Sequence, residues 1–365
     1  MISVDRLALR DFRSYEELDL SFAPGLTAVV GENGNGKTNL IEAIGFISRL
    51  QSFRGSPNEA MVRNGQEQAI IRADVTCGDR AVLIEAELPR QGRLRVQVNK
   101  QRLGRRGDLA EVLTTTVFSP DDLEIVKGGP GGRRDYLDDL LVDLHPKNDA
   151  ACTDLAKALK QRNALLKQMS GRLSPESELT LDVWDQRFAE LGERVGSLRA
   201  KLLEQLVPLV TEAYAVLSLS GTSGSAGTIG MTYSSAWRDG GLAAALAASR
   251  SDDVRRGVST VGPHRDDVEL AIDGLPARTH ASQGEQRSMV LAMRLAAHRL
   301  VTQARGEAPV LLLDDVFSEL DPKRSAALLE CLPPGQKILT TAAALPPGAV
   351  ADAVVSIADS RATLG

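Results

Sequence analysis

The run Gly31-Glu32-Asn33-Gly34-Asn35-Gly36-Lys37-Thr38 constrains this chain more than any other, because few folds accommodate it. It follows the apolar stretch Leu26-Thr27-Ala28-Val29-Val30 and precedes residues 39 to 50, where apolar side chains recur at helical spacing. A strand, a glycine-rich turn and a helix in that order make a phosphate loop of the G-x-x-x-x-G-K-T type. Gly31, Gly34 and Gly36 let backbone amides point inward without side-chain obstruction, and the positive end of the helix favours an anion. In such a loop Lys37 reaches the β- and γ-phosphates and the Thr38 hydroxyl holds Mg²⁺. A nucleoside triphosphate is the expected ligand.

Much later comes Val310-Leu311-Leu312-Leu313-Asp314-Asp315, an apolar run ending in two carboxylates. A buried parallel strand reads this way, and it delivers its acids to the carboxyl edge of the sheet, where the phosphate loop also sits. Asp314 is expected to hold Mg²⁺ and Asp315 to orient or deprotonate the attacking water. Ser282-Gln283-Gly284-Glu285-Gln286 precedes a long helix containing Met289, Val290, Met293 and Leu295. Ser282 and Gly284 there offer a hydroxyl and free amides at a helix start, a second anion site.

Composition narrows the setting. The 365 residues, 43% hydrophobic and 25% charged, suffice for two or more domains with cores of their own. The first residues lack a basic start and a long apolar core, and no run approaches the length of a spanning helix, so a cytoplasmic protein without membrane contact is expected. Cys77, Cys152 and Cys331 lie far apart and form no C-x-x-C, which points neither to a disulfide framework nor to a zinc knuckle. A net charge of −5 excludes a uniformly basic nucleic-acid binder, so any DNA contact must be a local patch.

In chain order, residues 2 to 9 read as a strand, Leu9 to Tyr15 as an interruption, and Leu18 to Phe22 as a second strand. Arg10 and Arg13 there fit two readings, beside the nucleotide or on the solvated surface. Gln68 to Val98 reads as an antiparallel meander. The segment Arg90 to Arg106 holds Arg90, Arg93, Arg95, Lys100, Arg102, Arg105 and Arg106 without an acid. It is either a protected strand edge or a phosphate-contacting patch. Thr114 to Phe118 reads as a buried strand, Ser119 to Leu123 as a helix start, and Gly128 to Gly132 as a break. Arg133 to about Val216 reads as almost wholly helical, punctuated by Pro175 and Pro208. Ser218 to Gly230 is expected to be a loop or hairpin, followed by helical segments near Leu242 to Ala248 and Asp252 to Arg256. His264 beside Asp266 and Asp267 raises a metal site, which no further His or Cys cluster completes.

The order phosphate loop, Ser-x-Gly-Glu-Gln, acidic strand, Ser318-Glu319-Leu320-Asp321 resembles the ABC-type ATPases. Leu9-x-x-Phe12-Arg13-Ser14 is similar to the start of the SMC-type heads in that group, and the insertion before Ser282 is longer than a transporter ATPase carries. Phe118 to Leu123 with Val126 to Pro130, Gly262 to Asp267, and Leu312 to Asp321 together resemble the RecF family of recombination-repair proteins over nearly the whole chain. Lys337-Ile338-Leu339-Thr340-Thr341 ends in threonines where transporter ATPases carry a histidine. RecF-like proteins also lack that histidine. Thr341 is the candidate γ-phosphate sensor by position.

The resemblance implies an α/β fold, an ABC-type ATPase head with an antiparallel β subdomain and an inserted α-helical lobe. The expected parts are an ATPase core from residues 1–120 and 258–365, with the lobe at 121–257. It implies ATP and Mg²⁺ as cofactors, contacts from Gly31 through Thr38 and from Arg13, and closure of the site by Ser282 and Gly284 of a second subunit. The implied function is ATP-controlled DNA binding at gapped or single-strand/double-strand junctions, in DNA replication, recombinational repair and the SOS response. Expected partners are DNA, RecR, RecO and a second copy in an ATP-dependent homodimer, with slow DNA-dependent ATP hydrolysis as a switch. An SMC-like DNA-organising head is the alternative, but the helical block is too short for a bridging arm. A transporter ATPase fits less well, given the insertion and the missing histidine.

Overall fold

A computed structural model describes residues 1–169, 171–172, 174–219, 227–342 and 344–364. From the N-terminus run β1 (Ile2–Phe12), β2 (Tyr15–Ser21), β3 (Leu26–Val30), α1 (Lys37–Arg49), α2 (Asn58–Met61), β4 (Gln68–Cys77), β5 (Arg80–Pro89), β6 (Arg95–Val98), β7 (Gln101–Arg102), α3 (Arg106–Ala110) and β8 (Thr115–Phe118). Four helices follow, α4 (Glu124–Lys127), α5 (Pro130–Leu144), α6 (Asn148–Gln168) and α7 (Pro175–Leu219). Next come β9 (Ile229–Ser234), α8 (Leu242–Arg256), β10 (Asp267–Ile272), β11 (Leu275–Pro276), α9 (Ala277–His280) and α10 (Gln283–Arg305). The last elements are β12 (Val310–Asp314), α11 (Pro322–Cys331), β13 (Lys337–Thr341), β14 (Ala353–Ala358) and β15 (Arg361–Leu364). No helix among the described residues is long and apolar enough to cross a membrane.

The chain forms two compact units. The first comprises Met1–Leu123, Leu209–Gly227 and Gln283–Gly365. One of its sheets has the order β15-β14-β3-β13-β12-β8, with β14, β3, β13, β12 and β8 mutually parallel and β15 antiparallel at the edge. Strands covered on both faces need apolar residues throughout, and all five residues of β12 are buried. Because β13 lies between β3 and β12, the phosphate loop, the threonines of β13 and the acids at the end of β12 emerge on one edge. The second sheet is an antiparallel meander in the order β2-β1-β4-β5-β6-β7. Helix α1 places Leu40, Ile41, Ile44, Phe46 and Ile47 in one core with residues of both sheets, among them Leu7, Ile71, Leu312 and Ile338. Each such buried side chain contributes about 1.5–3 kcal/mol over an exposed one.

The expected interruption from Leu9 to Tyr15 shrinks to a turn at Arg13 and Ser14. Strand β1 continues to Phe12, paired with β4 up to Arg10 and with β2 through Phe12 and Tyr15. Pairing on both sides outweighs the turn-forming sequence as far as Phe12, even though Asp11 within the strand, like Arg13 in the turn, lies in the left-handed region, at φ of 51° and 54°.

The second unit comprises Glu124–Pro208 and Thr228–Ser282. Its helices accompany a small antiparallel sheet in the order β11-β10-β9. Division by compactness differs from division at 120 and 257 along the chain. Strand β10 takes its whole register from β9, and this groups residues 258–282 with the helices. At the centre lies Arg162, fully buried, donating through Nε to Asp185 at 2.6 Å and through Nη1 to Asp253 at 2.7 Å and Ser259 at 2.8 Å.

Several further elements differ from their sequence expectations. Gly131 and Gly132 lie in the first turn of α5, because Pro130 occupies its first position and needs no amide bond there. Pro208 does not break the helical block but sits inside α7, where the chain passes from the second unit to the first. The two alanine-rich segments are one helix, α8, whose intervening residues hold helical geometry up to Gly257 at φ 66°. The helix start after Phe118 is a 3₁₀ turn, Pro120–Leu123, leading into α4. The expected loop or hairpin from Ser218 lies partly outside the described residues, at 220–226; β9 begins at Ile229.

Candidate nucleotide site

Local packing leaves the phosphate loop little freedom. A side chain on Gly31 would put its Cβ 2.3 Å from the Ile357 carbonyl oxygen of β14, so only glycine lets strand and loop lie this close. Gly36, at φ 100°, is enclosed by Ser14 and Tyr15. The buried Tyr15 hydroxyl donates to the Gly36 carbonyl at 3.0 Å, and burial raises its pKa, so it stays a donor at neutral pH. Asn35 donates to the Ile357 carbonyl at 3.3 Å. Glu32, Asn33 and Gly34 form the exposed rim. Lys37, almost wholly buried, curls its ammonium back to donate to the carbonyls of Gly31 at 2.7 Å and Glu32 at 2.9 Å.

The acidic strand meets this loop directly. Thr38 Oγ1 donates to Asp314 Oδ1 at 3.0 Å, and Thr340 Oγ1 donates to the same oxygen at 2.8 Å. Burial raises the Asp314 pKa above the ordinary carboxylate value; the bonds from Thr340 and Thr38 oppose this, and the neighbouring Asp315 adds to it. Asp315 turns out of the strand in the left-handed region at φ 49°, its amide donating to Thr340 Oγ1 at 3.0 Å. Its Oδ1 is buried without a hydrogen-bond partner, a costly arrangement that ordinary packing does not explain. Two hydroxyls and two carboxylates are hard oxygen donors suited to Mg²⁺, and the lone pairs of Thr38 Oγ1 remain open while its proton is held by Asp314.

The other residues singled out in the sequence lie elsewhere. Arg13 is turned to the fully buried Glu42 of α1, with Nε and Nη2 donating to its two carboxylate oxygens at 2.8 and 2.7 Å. Its Nη1 donates to the Ala60 carbonyl at 2.8 Å, so each guanidinium nitrogen is spent on the protein rather than on the phosphate loop. Ser52 also donates to Glu42. Exposed Ser282 is the last residue of the second unit, and Gly284 lies in the first turn of α10. Against Gly284 packs the Arg324 guanidinium, 2.7 Å from where a Cβ would stand, and Arg324 in turn bonds Asp321 at 3.1 Å. Thr341 is buried at the end of β13. His264 donates through Nε2 to the Ser259 carbonyl at 3.0 Å, and burial lowers its pKa to about 4. Among the described residues no three His, Cys, Asp or Glu gather to hold a metal.

Sequence reasoning missed Tyr15, Glu42 and Thr340. It also missed an open cleft beside the N-terminus of α1, lined by Arg13, Ser14, Asn39, Glu59, Asn64 and Arg90. Tyr15 carried a signal, an aromatic residue directly after a turn, and Thr340 one in the pair of threonines that closes β13.

The fold and this site define an ABC-type ATPase head of the SMC-like branch. Residues 3–345 match the family model described as the RecF/RecN/SMC N terminal domain. The chain belongs to the RecF family. It is 42% identical over 355 residues to the DNA replication and repair protein RecF of Frankia alni, covering 92% of each chain. It is likewise 42% identical to that of Streptomyces avermitilis, covering 93% of each. A solved structure described as the recombination mediator protein RecF-ATP in the RecFOR pathway shares 30% identity, with a TM-score of 0.90 over 100% of this chain and 98% of that one. The Smc head domain from Pyrococcus furiosus, at 19% identity and a TM-score of 0.58 over 100% of this chain and 96% of that one, shares the fold.

Proposed function

We propose that this protein is an ATP-controlled DNA-binding switch of recombinational repair, in which ATP closes two chains on each other and slow hydrolysis releases them. The observation that carries the reading is the meeting of Thr38, Asp314 and Thr340 at the foot of the phosphate loop, beside the unpartnered Oδ1 of Asp315. The RecF-ATP complex among its relatives supports ATP as the nucleotide.

Residue by residue, the amides from Gly31 to Gly36 cradle the phosphates, with Glu32, Asn33 and Asn35 shaping the loop rim. Lys37 exchanges its two carbonyl partners for phosphate oxygens, a stronger charge-assisted bond. Thr38 and Asp314 hold Mg²⁺, which neutralises phosphate charge when bound. Asp315 orients a water through Oδ1 and takes its proton as the oxygen attacks the γ-phosphorus and the bond to the β-phosphate oxygen breaks. The nucleoside lies along the cleft at Ser14, Asn39 and Asn64. Ser282 and Gly284 of a second copy close over the γ-phosphate. Arg13 acts on this site through Glu42, setting the position of α1.

The relatives named DNA replication and repair protein RecF, and the RecFOR pathway of the solved neighbours, support DNA as the substrate and RecR and RecO as partners; a preference for gapped DNA and help in loading a recombinase complete the proposal. Binding of blunt, gapped and single-stranded DNA with ATP, ADP and no nucleotide tests the function. Tight, ATP-dependent binding with preference for gapped DNA is expected. Equal binding with and without ATP would remove the switch.

A further inference from the structure

We infer that Thr340 is a positioning residue, one hydroxyl that holds both carboxylate residues of the acidic strand in place against Thr38. The inference rests on the reading of Thr38 and Asp314 as the Mg²⁺ ligands. Strand β13 lies between the phosphate-loop strand and the acidic strand, and Thr340 is in register with Val29 on one side and Asp314 on the other. Thr340 is 1% exposed and follows the apolar Ile338 and Leu339. A β-branched residue suits this position, but valine would fill it equally well without burying a polar atom. The hydroxyl therefore needs a reason.

Its bonds supply one. A hydroxyl has one proton, and Thr340 gives it to Asp314 Oδ1 at 2.8 Å in preference to the Leu313 carbonyl at 3.5 Å. The same oxygen accepts the Asp315 amide at 3.0 Å, fixing the left-handed turn by which Asp315 leaves the strand. Thr38 donates to the same Asp314 oxygen from the other side. The carboxylate is thus aimed by two hydroxyls, one from the phosphate-loop helix and one from the intervening strand. The residue proposed to orient water is anchored through that second hydroxyl. Partners of this kind orient metal-binding groups, and their loss typically costs about 10- to 100-fold in metal affinity or activity.

Thermal unfolding with saturating ATP and increasing Mg²⁺ tests this in the full-length protein, each variant measured against its own ligand-free melting. Thr340→Val is expected to raise the Mg²⁺ concentration at half-maximal stabilisation by about 10-fold. It should lower kcat while leaving KM for ATP at saturating Mg²⁺ within about 3-fold, since the phosphate loop is untouched. Thr340→Ser keeps the hydroxyl and should restore the wild-type midpoint. Thr340→Ala is held to the same outcomes as the valine variant and decides the matter where valine does not fold. An unchanged midpoint and kcat in the valine or alanine variant, or a serine variant as impaired as valine, overturns the role of Thr340 alone. Wild-type stabilisation by ATP that is independent of Mg²⁺ overturns the assignment of Thr38 and Asp314, and this inference with it.

Discussion

Removing Arg13 separates the nucleotide contact expected from the sequence from the buried ion pair with Glu42 that the structure shows. In Arg13→Ala the fully buried Glu42 keeps, among the described residues, the Ser52 hydroxyl and the more distant Arg54, at 3.9 Å. Breaking a buried ion pair by deleting one partner costs about 3–5 kcal/mol, because a charge is left stranded. Loss of the bond to the Ala60 carbonyl adds about 1 kcal/mol, while Arg54 swinging inward recovers part, leaving roughly 3 kcal/mol. For a unit of this size that lowers the ligand-free Tm by about 6–12 °C. Circular dichroism melting without nucleotide measures it. Glu42→Gln in the Arg13→Ala background should recover about 2 kcal/mol, because the stranded charge is gone. If Arg13→Ala melts like the wild type but binds ATP at least about 10-fold more weakly, the ion pair is incidental and Arg13 is a phosphate ligand.

Lys37→Ala should abolish ATP-dependent DNA binding while shifting the ligand-free Tm by no more than about 2 °C, since its ammonium bonds only the loop it serves. Filter binding and melting on the same preparation check both halves. Burial holds His264 and His298 at pKa values of about 4, below the ordinary histidine value, so the unfolded chain binds more protons below pH 6.5. Stability is therefore complete above pH 6.5 and falls as the pH drops towards 4, by about 2 kcal/mol for each histidine at pH 5. His298→Leu should flatten that slope in pH-dependent denaturation curves. In the basic segment, Arg90 is occupied by the carbonyls of Gln66 and Arg63, whereas Arg93, Arg95 and Lys100 are exposed near the β7 edge. Replacing these three by neutral residues should reduce the slope of log affinity against log salt by about 3, and an unchanged slope returns the segment to a solvated edge.

The phosphate-loop strand and helix, the meander and the acidic strand were legible because each couples a strong periodicity to a short motif. Asp314 could be placed for the same reason, as the end of a strand buried on both faces. The β1 extension was not, because pairing to β4 and β2 is a long-range effect that local turn residues at Asp11 and Arg13 obscure. Pro208 reads as a helix end in any local window, yet it lies inside α7, with Leu206 and Val210 on either side fully buried. Arg13 illustrates a different limit. A motif reports that an arginine stands there, whereas its target, Glu42, lies on another element and looks in sequence like one more helix-surface acid. Thr340 stood in the sequence only as one of two threonines closing an apolar strand, since a hydroxyl's partners depend on register across three strands.

Sedimentation velocity of the wild type, Asp315→Asn and Ser282→Arg with ATP and with ADP tests most directly whether nucleotide closes two chains together. The γ-phosphate makes the differential contact, so ATP should drive the wild type to a dimer and ADP should leave it monomeric. Asp315→Asn removes the carboxylate that positions water and should prolong the dimer. Ser282→Arg should bind ATP and stay monomeric, a bulky cation blocking the second copy. A Ser282→Arg protein that dimerises like the wild type, or a wild type that hydrolyses ATP as a monomer at a concentration-independent specific rate, would contradict the composite site.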